Sequence, residues 1–174
     1  TLTGLGERKH LRNPDVGLET HVQDIVNLLD FEDLTQVTLV GHSYGGAVIS
    51  GVASLSRGRL AHLVYLDGNI PANGQSVFDT YHPDLVNQLR ELASTQGDGW
   101  LIPPASLAGL MGVTGEEDLA WLQRNLTPQT LLTLTQPASC PCLPSGYPPR
   151  TYIYCTSGAT TPYFRPYAEQ AKAE

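Results

Sequence analysis

The sequence predicts an α/β fold built on a parallel sheet, with a helical insertion lying over it. Two short apolar runs and the stretch between them carry the first part of this reading. Gln36-Val-Thr-Leu-Val-Gly41 is β-branched and ends in glycine, Ala47 to Ser56 is small and apolar, and Leu60-Ala-His-Leu-Val-Tyr-Leu66 stops at Asp67-Gly68. The first run reads as a strand buried on both faces. Strand, tight turn, helix and strand make a βαβ unit, whose crossover requires parallel strands. The second part rests on residues 72–135, where short helical patterns are broken by Gly and Pro and no strand pattern appears.

The elements follow in order. Thr1 to Gly17 is rich in Gly and polar residues and contains Pro14, so it reads as loop. From Glu19 to Phe31, Val22, Ile25, Val26 and Leu29 recur at helical spacing, which leaves Gln23, Asp24 and Asn27 on the wet side. Residues 1–71 thus form the first part of a sheet-containing core. Residues 72–136 form the insertion, with helices expected at Asp84 to Ala93, Glu116 to Arg124 and Pro128 to Leu134. The run Glu116-Glu117-Asp118 suits the positive end of a helix dipole. Residues 137–174 return to the core. A Pro-rich linker leads to the strand pattern Arg150 to Cys155, and a helix pattern runs from Tyr163 to Ala173.

Composition narrows the function classes. A net charge of −7 with no Lys or Arg cluster argues against nucleic acid or an anionic membrane surface as partner. No apolar run approaches the roughly 20 residues of a membrane span. Cys140, Cys142 and Cys155 make an odd set without CxxC spacing, so the expectation is free thiols and a reducing, cytoplasmic setting.

Gly41-His42-Ser43-Tyr44-Gly45 carries the chemistry. A serine hydroxyl is a poor nucleophile until a base takes its proton and its geometry is fixed. A sharp turn from a buried strand into a helix projects the hydroxyl clear of the sheet. Glycines at 41 and 45 are expected to remove Cβ atoms that would clash there. The backbone N–H of Tyr44, at the positive end of the following helix, would then donate to an oxyanion, leaving the Tyr44 side chain to line a pocket. The plain alternative is a glycine-rich turn whose serine caps the helix.

Thr3-Gly-Leu-Gly-Glu-Arg8, Thr20-His-Val-Gln-Asp24, Val40-Gly-His-Ser-Tyr-Gly-Gly46 and Tyr65-Leu-Asp67 resemble one branch of the α/β-hydrolase superfamily. That branch holds bacterial esterases similar to plant methylesterases, salicylate-binding esterases and hydroxynitrile lyases. The resemblance implies a partial α/β-hydrolase fold with a cap, a Ser-acid-His triad and no cofactor or metal. It also implies an internal segment of a longer chain. Members begin with earlier strands and a loop that gives the second oxyanion donor, and they end in a last strand and a loop bearing the catalytic histidine. The expectation is that residues 1–174 alone lack appreciable esterase turnover.

The related plant enzymes carry the acid just after the strand equivalent to Tyr152 to Cys155. Here that stretch, Cys155-Thr156-Ser157-Gly158-Ala159, has no carboxylate. Asp67, at the carboxyl end of the strand after the elbow helix, opens on the same rim of the sheet as Ser43 and could hold the imidazole instead. Its other reading is a turn cap beside Gly68. His10, His21, His42, His62 and His82 all read as structural or solvent-facing rather than as the base. Trp100, Trp121, Leu110 and Met111 read as packing of the insertion, or as the lining of an apolar pocket beneath it.

Three functions stay open: hydrolysis of small or medium apolar carboxylic esters, a hydroxynitrile-lyase-type cleavage, and ligand binding without catalysis. Lys9 and Lys172 are the only lysines, and neither falls in the insertion, which disfavours the lyase. Substrate identity and oligomeric state are not set by these residues.

Overall fold

The computed structural model describes residues 1–104, 112–140, 147–157 and 161–173. Leu110, Met111, Cys142, Gly158 and Ala159 lie outside the described residues. In chain order the elements are α1 (Leu18–Phe31), β1 (Val37–Ser43), α2 (Gly45–Leu55), β2 (Leu60–Gly68), α3 (Pro83–Gln96), β3 (Leu101–Ile102), α4 (Glu116–Asn125), β4 (Gln129–Thr130), α5 (Leu132–Thr135), β5 (Arg150–Ile153) and α6 (Thr161–Ala173). The main sheet is parallel throughout, in the order β1-β2-β5, with Gly41 opposite Tyr65 and Tyr65 opposite Tyr152. This is the βαβ unit that the apolar runs require.

Gln36 adopts φ 55°, a turn conformation, so β1 begins one residue later than its composition implied and runs on to Ser43. The expectation that this strand is buried on both faces is corrected. Leu39 and Gly41 face inward, while Thr38, Val40 and His42 are exposed, Val40 at 63%. The cause is one-sided cover. Helix α2 packs on β1 and β2, α1 packs on α2, and the rings of Tyr65, Tyr152 and Tyr167 stack in a row on that same face. Alternation along a strand follows from the pleat once only one face is covered.

The core lies between that face and the helices. Leu63, Val52, Ala47 and Ala53 are fully buried, with Leu18, Val22, Val26 and Leu29 of α1 behind them. Each large apolar side chain buried this way contributes about 1.5–3 kcal/mol. Gln23 and Asn27 of α1 are exposed as expected, but Asp24 turns inward. Its carboxylate accepts from Thr3 N–H at 2.6 Å and from the Thr3 hydroxyl at 2.8 Å. The opening segment is therefore pinned rather than plain loop, and Gly6–Leu11 forms a 3-10 helix.

Helices occur where Asp84 to Ala93 and Glu116 to Arg124 predict them, but the helix expected at Pro128 to Leu134 is reduced to α5, and a strand pair stands where no strand was expected. β3 and β4 pair antiparallel, and each is only two residues long, too short to leave an alternation in the sequence. Trp121 is 57% exposed on α4, a helix with no buried residue, so it neither packs a core nor lines a closed pocket. Trp100 is half-buried, and its carbonyl accepts from Leu131 N–H at 2.7 Å.

Candidate active site

Ser43 ends β1 with φ 52°, and α2 begins two residues later at Gly45. Left-handed backbone on a serine is uncommon and costs energy, which the surroundings must hold in place. They do so from two sides. Asn69 N–H donates to the Ser43 carbonyl at 2.9 Å. At Gly41 a Cβ would stand 2.5 Å from the Gly45 carbonyl oxygen, so glycine is needed there. The expectation for Gly45 is corrected, since a Cβ at that position meets nothing within 4 Å. The tight contact belongs to the next residue. A Cβ on Gly46 would lie 2.6 Å from the Asn69 oxygen and 2.8 Å from its nitrogen.

Asp67 stands one strand away. Ser43 is in register with Gly68, across an irregularity that follows His42. Asp67 is 4% exposed and has φ 40°. Its Oδ1 accepts the Cys155 N–H at 2.9 Å, so the end of β5 orients the carboxylate. A hydrogen bond between the Cys155 side chain and Asp67 raises the thiol's pKa above its ordinary value. The turn carrying Asp67 is held further on. Tyr152 OH donates to the Gly68 carbonyl at 3.1 Å, and Tyr81 OH donates to Asn69 Oδ1 at 3.3 Å. Burial, and then the charge of Asp67, push the Tyr152 phenol up, so it stays a donor. Asn69, Tyr81 and Cys155 escaped the sequence reading. The only signal was Gly68-Asn69, a turn pair directly after a strand end.

Among the described residues none of the five histidines is hydrogen-bonded to Ser43 or Asp67. His62 Nε2 lies 2.9 Å from the Thr151 hydroxyl, His82 caps α3 through the Asp84 N–H, and His10 and His42 are exposed. His21 is 1% exposed and lies between the Thr3 carbonyl and the Tyr44 hydroxyl. The Tyr44 side chain is thus engaged in the interior instead of lining a pocket, which corrects the expectation for it. Burial pushes its phenol pKa far up.

A cavity of about 1030 Å³ lies elsewhere. Ser50, Tyr65, Tyr152 and Tyr167 are on its wall, but Ser43 and Asp67 are not, so it is not where the elbow serine would act. Cys140 and Cys155 are free thiols. Among the described residues no group of three His, Cys, Asp or Glu could hold a metal, and no helix is long and apolar enough to cross a membrane.

The model of the alpha/beta hydrolase family matches residues 1–174. A carbendazim hydrolyzing esterase from Nocardioides sp. (strain SG-4G) is 35% identical over 172 residues, covering 94% of this chain and 69% of that protein. Among solved structures, an extracellular alpha/beta-hydrolase from a Paenibacillus species superposes with a TM-score of 0.77 at 23% identity, covering 93% of this chain and 68% of the other. Tomato methylketone synthase I superposes with a TM-score of 0.67 at 16% identity, covering 97% and 71%. These two likenesses concern the fold. With a parallel sheet, a strained serine between strand and helix, and a family match over its whole length, the chain belongs to the alpha/beta hydrolase family, on its esterase branch.

Proposed function

We propose that the protein is a serine esterase in which Ser43 attacks the carbonyl of a small or medium apolar carboxylic ester. The observation that carries this reading is the left-handed backbone of Ser43 at the junction of β1 and α2. Tyr44 N–H, at the start of α2, donates to the oxyanion as the carbonyl becomes tetrahedral. Asp67 is the acid. The carboxylate, oriented at Oδ1 by the Cys155 N–H, accepts an imidazole N–H. That imidazole takes the Ser43 proton, passes it to the departing alcohol, and then activates water to release the acyl group. The placement of the five histidines supports a base from outside residues 1–174, as the resemblance to the esterase branch implies. No cofactor enters this mechanism.

The test uses the full-length protein with p-nitrophenyl acetate and with carbendazim, after which the 35% identical relative is named. Ser43→Ala should abolish turnover and prevent labelling by a fluorophosphonate. Activity that survives this substitution would overturn the assignment.

A further inference from the structure

We infer that His21 and the side chain of Tyr44 position the oxyanion donor, with the hydroxyl held by His21 fixing the backbone N–H of the same residue. The inference rests on the serine-esterase reading above. His21 Nε2 lies 2.8 Å from the Thr3 carbonyl oxygen, which can only accept, so Nε2 carries the hydrogen. Burial of the ring favours its neutral form. Nδ1 is then a lone-pair acceptor, and the Tyr44 hydroxyl donates to it at 2.9 Å. The two rings meet edge to face, with centroids 5.7 Å apart.

Each partner of this pair is itself fixed. Thr3 is held by the Asp24 carboxylate through both its N–H and its hydroxyl. On the other side, the Tyr44 carbonyl accepts from the Ala47 N–H of α2 at 3.0 Å. The tip of Tyr44 is therefore tied to α1 and, through His21, to the opening segment. Its backbone directly follows Ser43, the strained residue of the elbow.

An oxyanion donor works only if it is aimed before the charge develops, and a displacement of about 1 Å can cost a hundredfold in rate. Asn69 N–H and the first turn of α2 hold the elbow through its carbonyls, and the N–H that follows the strained Ser43 gains from a further constraint. A side chain anchored at its far end supplies that constraint from outside the turn.

The test compares wild type, Tyr44→Phe, His21→Ala and His21→Asn in the full-length protein. Turnover of p-nitrophenyl acetate is normalised to the fraction of Ser43 that a fluorophosphonate titrates, and affinity for a trifluoromethyl ketone reports on the tetrahedral state. Tyr44→Phe should lower normalised kcat about tenfold with KM within about twofold, and should weaken the ketone by the same factor as kcat/KM. His21→Ala should match it. His21→Asn, whose amide oxygen can accept from the Tyr44 hydroxyl, should recover part of the loss. If Tyr44→Phe does not fold, His21→Ala removes the acceptor of the hydroxyl and carries the same comparison. Unchanged normalised kcat and ketone affinity would overturn the inference, leaving the hydroxyl a role in stability alone. A wild type that the fluorophosphonate does not label, with activity intact in Ser43→Ala, would instead overturn the esterase reading itself, and this inference with it.

Discussion

Replacing Asp67 by Asn separates the two readings of that residue. Asn has nearly the same volume, keeps an amide oxygen for the Cys155 N–H now received at 2.9 Å, and tolerates the left-handed backbone at φ 40°. The turn should therefore survive. What changes is the second position of the side chain, where an acceptor becomes an NH₂ donor. An imidazole facing that donor must present its lone pair, so its other nitrogen carries the hydrogen and cannot take a proton from Ser43. The expected loss in turnover is about a thousandfold to ten-thousandfold, or about 4–5.5 kcal/mol of barrier. The assay is p-nitrophenyl acetate hydrolysis by the full-length protein, beside thermal unfolding of the same samples. A loss in kcat under about tenfold, with Tm unchanged, would leave Asp67 as a turn residue and put the acid elsewhere.

Two further predictions concern packing and protonation. Gly46→Ala forces a Cβ to within 2.6 Å of the Asn69 backbone, so it should cost about 1–3 kcal/mol and displace the turn that carries Asp67, whereas Gly45→Ala, which meets nothing within 4 Å, should leave Tm unchanged or raised. Thermal unfolding of the pair decides it, and equal losses would refute the contact argument. His21 has its pKa lowered from 6.5, chiefly by burial, with Asp24 raising it and Arg8 lowering it. Between the folded value and 6.5 the unfolded chain binds the extra proton, so stability rises with pH across that window and is lost as pH falls through it. The Tm advantage of wild type over His21→Asn should therefore narrow from about pH 7.5 to about pH 5, and a constant gap would mean that His21 titrates without perturbation.

The parts of the fold that were legible are those where one local signal has one structural outcome. Val22, Val26 and Leu29 recur at helical spacing and are buried in α1, and the glycine that ends the first apolar run marks the elbow. The one-sided cover of β1 was not legible, because a β-branched run looks the same whether one face or two are covered. Residue composition does not report what packs on the far side. The β3–β4 ribbon left no trace because two residues cannot show a period. At the site, Ser43 and Asp67 were legible because each sits at a strand end, where the sheet's topology fixes its position. Cys155 N–H and the His21–Tyr44 bond were not, because both join segments far apart in the chain, 88 and 23 residues, and neither needs a characteristic residue type. A backbone N–H is supplied by any residue but proline.

The distribution of backbone strain gives an argument about the site that does not depend on the Gly-x-Ser-x-Gly pattern. Among the described residues, the non-glycine residues with positive φ are Asp33, Gln36, Ser43, Asp67 and Asp98. Asp33 and Gln36 lie in the exposed connection before β1, and Asp98 lies in the exposed turn after α3. Short polar residues are ordinary choices at such places. Ser43, half-buried, and Asp67, buried, differ from these in being withdrawn from solvent and in lying at the ends of adjacent parallel strands. Each costs about 1–3 kcal/mol that glycine would avoid. Glycine is moreover used within three residues of them, at 41, 46 and 68, where a Cβ would meet close neighbours. Stability alone therefore gives no reason for a hydroxyl at 43 or a carboxylate at 67. Carrying both on strained backbone, each braced by an N–H from another segment, is what the proposed roles of nucleophile and acid partner would require.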